Sequence, residues 1–212
     1  VKYRLPNGHW TVPLTDVQNA FRYCRAHADE WGIRQIGVMG FSAGGHLAAS
    51  ASTLFVDNVT RPDFSILVYP VITMDLALTH RGTHDSLIGK ESKWLDKNLT
   101  VNEYERNKAE YDALMEHYSL EKQITSDTPA TMLLLSADDK TVPPENSFMY
   151  YDSLRANGVQ AQMYVFPYGG HGWGFTTVEF GGDRLSAYRP VFFQAIKTWL
   201  GEMSQAMNCS TK

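Results

Sequence analysis

The chain is poor in cysteine: two in 212 residues, Cys24 and Cys209, with no C-x-x-C pair. That excludes a disulfide scaffold and paired-thiol zinc or redox chemistry; at most one bridge can form. No apolar run approaches the ~20 residues that cross a bilayer. Neither sign of charge dominates. The 19 Lys+Arg face 23 Asp+Glu, for a net charge of −4, and no basic block occurs. Nucleic acid and membrane are therefore not expected as partners. No HExxH, EF-hand or zinc spacing is present, so neither a metal nor another cofactor is expected. Disorder is excluded by what is there: 43% hydrophobic residues and 12% aromatics suffice for a packed core.

Apolar runs alternate with amphipathic segments. Leu14 to Glu30 predicts a helix, because Val17, Ala20, Phe21, Cys24 and Ala28 share one face of a 3.6-residue period. Ile33 to Met39 predicts a short strand and the Ala-rich segment Ser42 to Thr53 a tightly packed helix. Further strands are expected over Phe64 to Val71, Thr131 to Ser136 and Ala161 to Phe166. Pro144 to Ala156 predicts a helix stopped by Asn157-Gly158, and a last helix starts near Pro190. Continuous apolar strands alternating with helices imply an α/β fold, a mostly parallel sheet with helices on both faces. Residues 73–129 are polar and charged without a strong strand, and predict a helical or irregular insertion that caps the sheet. No repeat or linker divides residues 1–212, so one domain is expected.

The chemistry is concentrated in three segments. Gly40-Phe41-Ser42-Ala43-Gly44 is a G-x-S-x-G box between a predicted strand and a predicted helix. A strand that turns sharply into a helix strains the serine backbone and projects its hydroxyl from the sheet end. The helix N-terminus there favours a developing anion, and the backbone N–H of Ala43 is the candidate oxyanion donor. A serine nucleophile needs a base, and the base an orienting acid, expected in the chain order Ser, Asp/Glu, His. The strand ending at Ser136 runs into Asp138-Asp139, and the strand ending at Phe166 runs into Gly169-Gly170-His171-Gly172. His171 is the only one of seven histidines that follows the Asp pair. Asp139 is preferred to Asp138 because it precedes Val142 by three residues. His46, on the serine helix, is read as a structural hydrogen-bonder. Phe41, Tyr69 and Trp173 are the candidate substrate-contacting residues; the clusters Trp173/Phe175 and Tyr150/Tyr151 are otherwise expected in the core, with Trp173, beside the base, as the exception.

Three stretches, GVMGFSAGGHLAAS, LLLSADDKTVPPENS and VFPYGGHGWGF, together resemble the α/β-hydrolase esterases grouped with acetyl-xylan esterases and feruloyl-esterase-like carbohydrate esterases. The similarity extends to YRLPNGHWTVPLTDVQNAFRYCRAHADEWGI and YSLEKQITSDTPATMLLLS. It implies an α/β-hydrolase core, with Ser42 as nucleophile, Asp139 as acid and His171 as base. The implied substrate is an acyl ester, most often an acetyl group on plant polysaccharide such as xylan. Prolyl-oligopeptidase-type peptidases share the core, so peptide cleavage is the nearest enzymatic rival. A catalytically impaired remnant acting as a binding module is the other alternative. Family members carry a His-Gly-Gly oxyanion loop well before the serine; the 41 residues preceding Ser42 hold none, nor the strand that would flank Ile33–Met39. The expectation is an N-terminally truncated core whose nucleophile strand lies at an open sheet edge. Either the natural chain continues upstream, or this edge pairs with a second copy and activity is reduced. A polysaccharide substrate would imply a secreted or periplasmic protein, a soluble small ester a cytoplasmic one.

Overall fold

A computed structural model of the chain describes residues 1–174 and 188–210, the last of these without side chains beyond 205. Four parallel strands form one sheet in the order β1 (Gly37–Phe41), β2 (Phe64–Val68), β3 (Ala130–Ser136), β4 (Ala161–Phe166). The strand period of two splits their side chains between two faces. Ile66, Val68, Met132, Leu134 and Phe166 point to one face, where Phe192, Ala195, Trp199 and Met203 of α8 (Arg189–Ser210) cover them. Leu67 and Leu133 point to the other. There they meet Ala48 and Ala49 of α3 (Ala43–Thr53), and Tyr150 and Leu154 of α7 (Glu145–Ala156). Leu67, Leu133 and Leu134 are fully buried, each worth about 1.5–3 kcal/mol of apolar transfer. Helices on both faces explain why the two central strands, β2 and β3, are buried and mostly apolar, their buried Ser65 and Thr131 hydroxyls satisfying each other at 2.8 Å, while the edge strands β1 and β4 are only partly buried.

The N-terminal helix is two pieces, α1 (Val12–Ala26) and α2 (Ala28–Trp31), where one was expected. His27 leaves helical geometry at φ −107, ψ 13 between them. The strand after it begins at Gly37 rather than Ile33. Ile33 N–H closes the end of α2 on Ala28 O, and Ile36 N–H is taken by the Asp63 carboxylate at 2.6 Å. These contacts consume the backbone groups that strand pairing would need. β2 stops at Val68 rather than Val71 because Tyr69 turns to φ +36 and Pro70 follows. Val17 and Phe21 of α1 pack on Leu47 and Ala51 of α3.

Residues 73–129 are helical where they are regular. They form α4 (Arg81–Leu87), α5 (Glu91–Trp94), α6 (Val101–Tyr118) and a 3-10 turn, Leu120–Lys122. Thr100 starts α6 with a reciprocal capping box to Glu103. Tyr111, Leu114 and Tyr118 of α6 join Val71, Met74 and Val142 in a cluster above the sheet's C-terminal edge. Cys24 carries a free thiol on α1, while Phe175 and the side chain of Cys209 lie outside the described residues. Among those residues no helix is long and apolar enough to cross a membrane, and no cluster of metal-binding side chains occurs.

Candidate active site

All the chemistry-bearing residues leave the sheet at one edge. Ser42 follows β1, Tyr69 follows β2, Asp138-Asp139 follow β3 and His171 follows β4. In a parallel sheet these are all C-terminal ends, so four connections converge on one rim. Open α/β sheets build their sites there.

Ser42 sits at φ +53, ψ −121, a conformation that costs a non-glycine residue about 1–3 kcal/mol. Neighbouring contacts hold it there. Its N–H donates to Val68 O at 3.1 Å, and its carbonyl accepts from His46 N–H at 3.1 Å and Val71 N–H at 3.2 Å. Space allows the turn only with glycine at position 40, where a Cβ would lie 2.1 Å from the Gly44 carbonyl oxygen. The serine side chain does not cap α3. Its Oγ instead lies 2.8 Å from Nε2 of His171. Ala43 is the first residue of α3, so its N–H belongs to the helix end that has no intrahelical acceptor. It stands beside the Ser42 hydroxyl with the positive end of the helix dipole behind it.

Nδ1 of His171 lies 2.6 Å from Oδ2 of Asp139. The other Asp139 oxygen accepts Thr141 N–H at 2.9 Å and Val142 N–H at 3.0 Å, a tight Asx turn that fixes the carboxylate. The Asp139 residue is 5% exposed, so this hydrogen-bonded pair is shielded from water. The arrangement is a continuous chain of hydroxyl, imidazole and carboxylate. It can take a proton from Ser42 onto the ring while the carboxylate steadies the charged ring.

Asp138 does not reach the His171 ring but holds the backbone beside it: its carboxylate accepts Gly170 N–H at 2.8 Å. The substrate-contacting candidates divide. Phe41 is half-buried, with its ring 6.1 Å from that of Tyr69. Tyr69 packs 4.6 Å from the His171 ring and its phenol oxygen accepts Gly174 N–H at 2.9 Å. Burial pushes the Tyr69 phenol up to about 12, so it stays protonated. Trp173 is not a substrate platform. It is 2% exposed and stands edge-on to Phe166, Phe192 and Tyr69, all core rings. Its indole offers too much apolar area to leave in water where α8 can cover it.

His46 is buried, with Nδ1 3.2 Å from Val71 O, and burial lowers its pKa to about 4. It is a neutral structural ring. His84 also faces a carboxylate, Asp85 at 2.8 Å, but its Nε2 meets the Tyr111 phenol at 3.0 Å inside the cap. Asn146 had no place in the sequence reading. Fully buried at the start of α7, it accepts Ile72 and Thr73 N–H and donates to Leu78 and Pro143 carbonyls. It joins the loop after β2 to the loop that carries Asp139. The Pro-Pro-Glu-Asn opening of the helix was the local signal, since an amide in a Pro-started first turn is placed to bond backbone.

The pattern of the Prolyl oligopeptidase family matches residues 7–186. The acetylxylan esterase of Xylanibacter ruminicola is 38% identical over 181 residues, covering 84% of this chain and 34% of that protein. Endo-1,4-beta-xylanase B of Butyrivibrio fibrisolvens is 33% identical over 180 residues, covering 79% and 25%. The chain thus spans about a third or less of the length of these relatives. Among solved structures, an acetyl ester-xyloside bifunctional hydrolase from Caldicellulosiruptor lactoaceticus superposes with a TM-score of 0.65 at 30% identity, over 88% of this chain and 66% of that one. An α/β hydrolase from a deep-sea metagenome shares the fold at a TM-score of 0.63 and 23% identity, over 93% of this chain and 66% of its own.

Proposed function

The chain belongs to the prolyl oligopeptidase family, and on that premise we propose that it is a serine ester hydrolase that removes small acyl groups, acetyl foremost, from xylan or related polysaccharide. The observation that carries the reaction class is the pair of contacts on His171, 2.8 Å to the Ser42 hydroxyl and 2.6 Å to the Asp139 carboxylate. Two relatives whose names refer to xylan or its acetyl esters support the substrate class.

Ser42 Oγ attacks the ester carbonyl as Nε2 of His171 takes its proton. The carbonyl electrons collect on oxygen, where Ala43 N–H donates to them. Collapse expels the sugar alkoxide, which takes the proton back from His171 and leaves an acetyl-Ser42 ester. Water then attacks that ester, giving one proton to Nε2, and acetic acid leaves as that proton passes to Oγ, the acid then ionising to acetate in solution. Asp139 holds the ring so that Nε2 faces the serine throughout.

The partners follow from the same reading: an acetylated oligosaccharide or small ester at the rim and, on the side of β1 away from β2, either further chain preceding Val1 or a second copy. Among the described residues β1 pairs only with β2. Its other side borders a groove of about 570 Å³ lined by Val17, Phe21, Ile36, Met39, Phe41 and Leu47. An apolar edge of this kind favours strand pairing between copies. Light scattering that finds only monomer at high micromolar concentration overturns the dimer.

Acetate release from acetylated xylan tests the main reading, with p-nitrophenyl acetate as a small substrate and a proline peptide as the competing class. Release from both esters, abolished in Ser42→Ala, is expected, together with labelling of Ser42 by a fluorophosphonate. Neither ester cleavage nor labelling, or cleavage of the peptide alone, refutes it.

A further inference from the structure

The imidazole that must bridge Ser42 and Asp139 is carried by a glycine-rich segment that the buried Trp173 ties to the core two residues further on. Gly169, Gly170 and Gly172 around it all have positive φ, at +147, +61 and +81. Glycine there loses more freedom on ordering than any other residue, so the segment has no intrinsic preference for the bridging position. Two side chains from other strands supply what the segment lacks. Asp138, after β3, takes Gly170 N–H at 2.8 Å, one residue before His171. Tyr69, after β2, takes Gly174 N–H at 2.9 Å, three residues beyond it.

We infer that Asp138 and Tyr69 are positioning residues, a two-point clamp on the backbone either side of His171 that aims its ring at Ser42 and Asp139. This rests on the serine-hydrolase reading, and extends it to residues that touch neither the nucleophile nor its acid by hydrogen bond.

The two anchors are unlike. Tyr69 is rigid. It is 5% exposed, its own N–H donates to Leu134 O at 2.7 Å, and its ring packs 4.6 Å from the imidazole at 55°. The fit at Gly174 is close: a Cβ there would lie 2.7 Å from the Tyr69 oxygen and 2.8 Å from the Phe41 ring. Asp138 is exposed but shares its turn with Asp139, so acid and anchor move as one unit. That turn is in register with the strand bearing His171 through Ala137 N–H to Phe166 O at 2.7 Å. The paired carboxylates thus divide two tasks, Asp139 on the ring and Asp138 on the backbone.

The test uses Tyr69→Phe, which keeps the ring and loses the acceptor, Asp138→Ala, which loses the acceptor, and Asp138→Asn, which keeps a carbonyl oxygen in place. With p-nitrophenyl acetate, kcat is expected to fall about 10-fold in Tyr69→Phe and in Asp138→Ala, with KM changed less than 2-fold. The double variant should lose more than 100-fold, as either anchor partly holds the segment alone, and Asp138→Asn should recover to within about 2-fold of the parent. In parallel, proton NMR follows the hydrogen between His171 Nδ1 and Asp139, whose signal should be sharp in the parent and broadened by exchange in Tyr69→Phe and Asp138→Ala. An unbroadened signal in both variants overturns the clamp even in a chain that cleaves no ester. So does kcat within 2-fold of the parent in both, or a loss in Asp138→Asn as large as in Asp138→Ala. Absence of ester cleavage and of Ser42 labelling in the parent sinks the hydrolase reading instead, and leaves the NMR arm to decide the clamp.

Discussion

Asp139 and His171 meet at 2.6 Å through one carboxylate oxygen, while the other oxygen is taken by the N–H groups of Thr141 and Val142. The acid is therefore aimed by its own turn before it meets the ring. An amide at this position keeps a carbonyl oxygen for the turn but presents N–H₂ to Nδ1, which forces the imidazole into the tautomer that cannot accept the serine proton. Asp139→Asn is expected to lower kcat by about 10³–10⁴, with the melting temperature nearly unchanged. Steady-state kinetics beside a thermal melt checks this; retention of more than a tenth of the activity would assign the acid elsewhere.

The two glycines of the serine box have different jobs. At Gly40 a Cβ would lie 2.1 Å from the Gly44 carbonyl oxygen, 2.6 Å from its carbon and 2.8 Å from Ala48 Cβ, so α3 crosses β1 against bare backbone. At Gly44 the nearest atom to a Cβ is the Tyr3 hydroxyl at 3.9 Å. Gly40→Ala should destabilise by about 3 kcal/mol or more. Gly44→Ala should be neutral or gain up to about 1 kcal/mol, since alanine is the better helix residue. Urea titrations of both variants separate them, and equal stabilities would contradict the packing described.

How far these features could be read from the chain depends on how local their causes are. β3 starts one residue early and β4 matches its expected bounds: β3 is buried on both faces and shows as an apolar run, while β4, a partly exposed edge strand that includes Gln162, still shows as a short run of large side chains after a glycine stop. The preference for Asp139 over Asp138 rested on a three-residue spacing to Val142, and that spacing is the Asx-turn contact. What escaped has distant partners. The late start of β1 depends on Asp63 reaching back to Ile36, and the hub at Asn146 on carbonyls and amides about 70 positions upstream. Trp173 escaped for a related reason: its neighbour His171 marks it as a site residue, but only the packing of α8 decides that its ring is core. The capping box at Thr100 and Glu103 was local and readable, and would have placed the start of α6 inside the polar insertion.

His46 gives the fold an acid sensitivity that can be isolated. The ring is fully buried, and burial lowers its pKa from 6.5 to about 4, against a weaker opposing contact to Val71 O. The folded protein therefore keeps the ring neutral where the unfolded chain protonates it. Between pH 6.5 and 4 the unfolded state binds the extra proton, so stability falls as pH falls across that window and its loss is complete below it. The shift corresponds to about 3 kcal/mol at about 1.4 kcal/mol per pH unit. Glu121, whose carboxyl is pushed up by burial, tilts the other way, so the informative quantity is the difference between parent and variant. His46→Asn retains an N–H for Val71 O but does not titrate. It is expected to be less stable than the parent at pH 7.5, by about 1–2 kcal/mol for the imperfect replacement, and to close that gap or reverse it at pH 4.5. Denaturant unfolding at both pH values measures it, and parallel pH dependences in the two proteins would show that the buried ring is not the group that titrates.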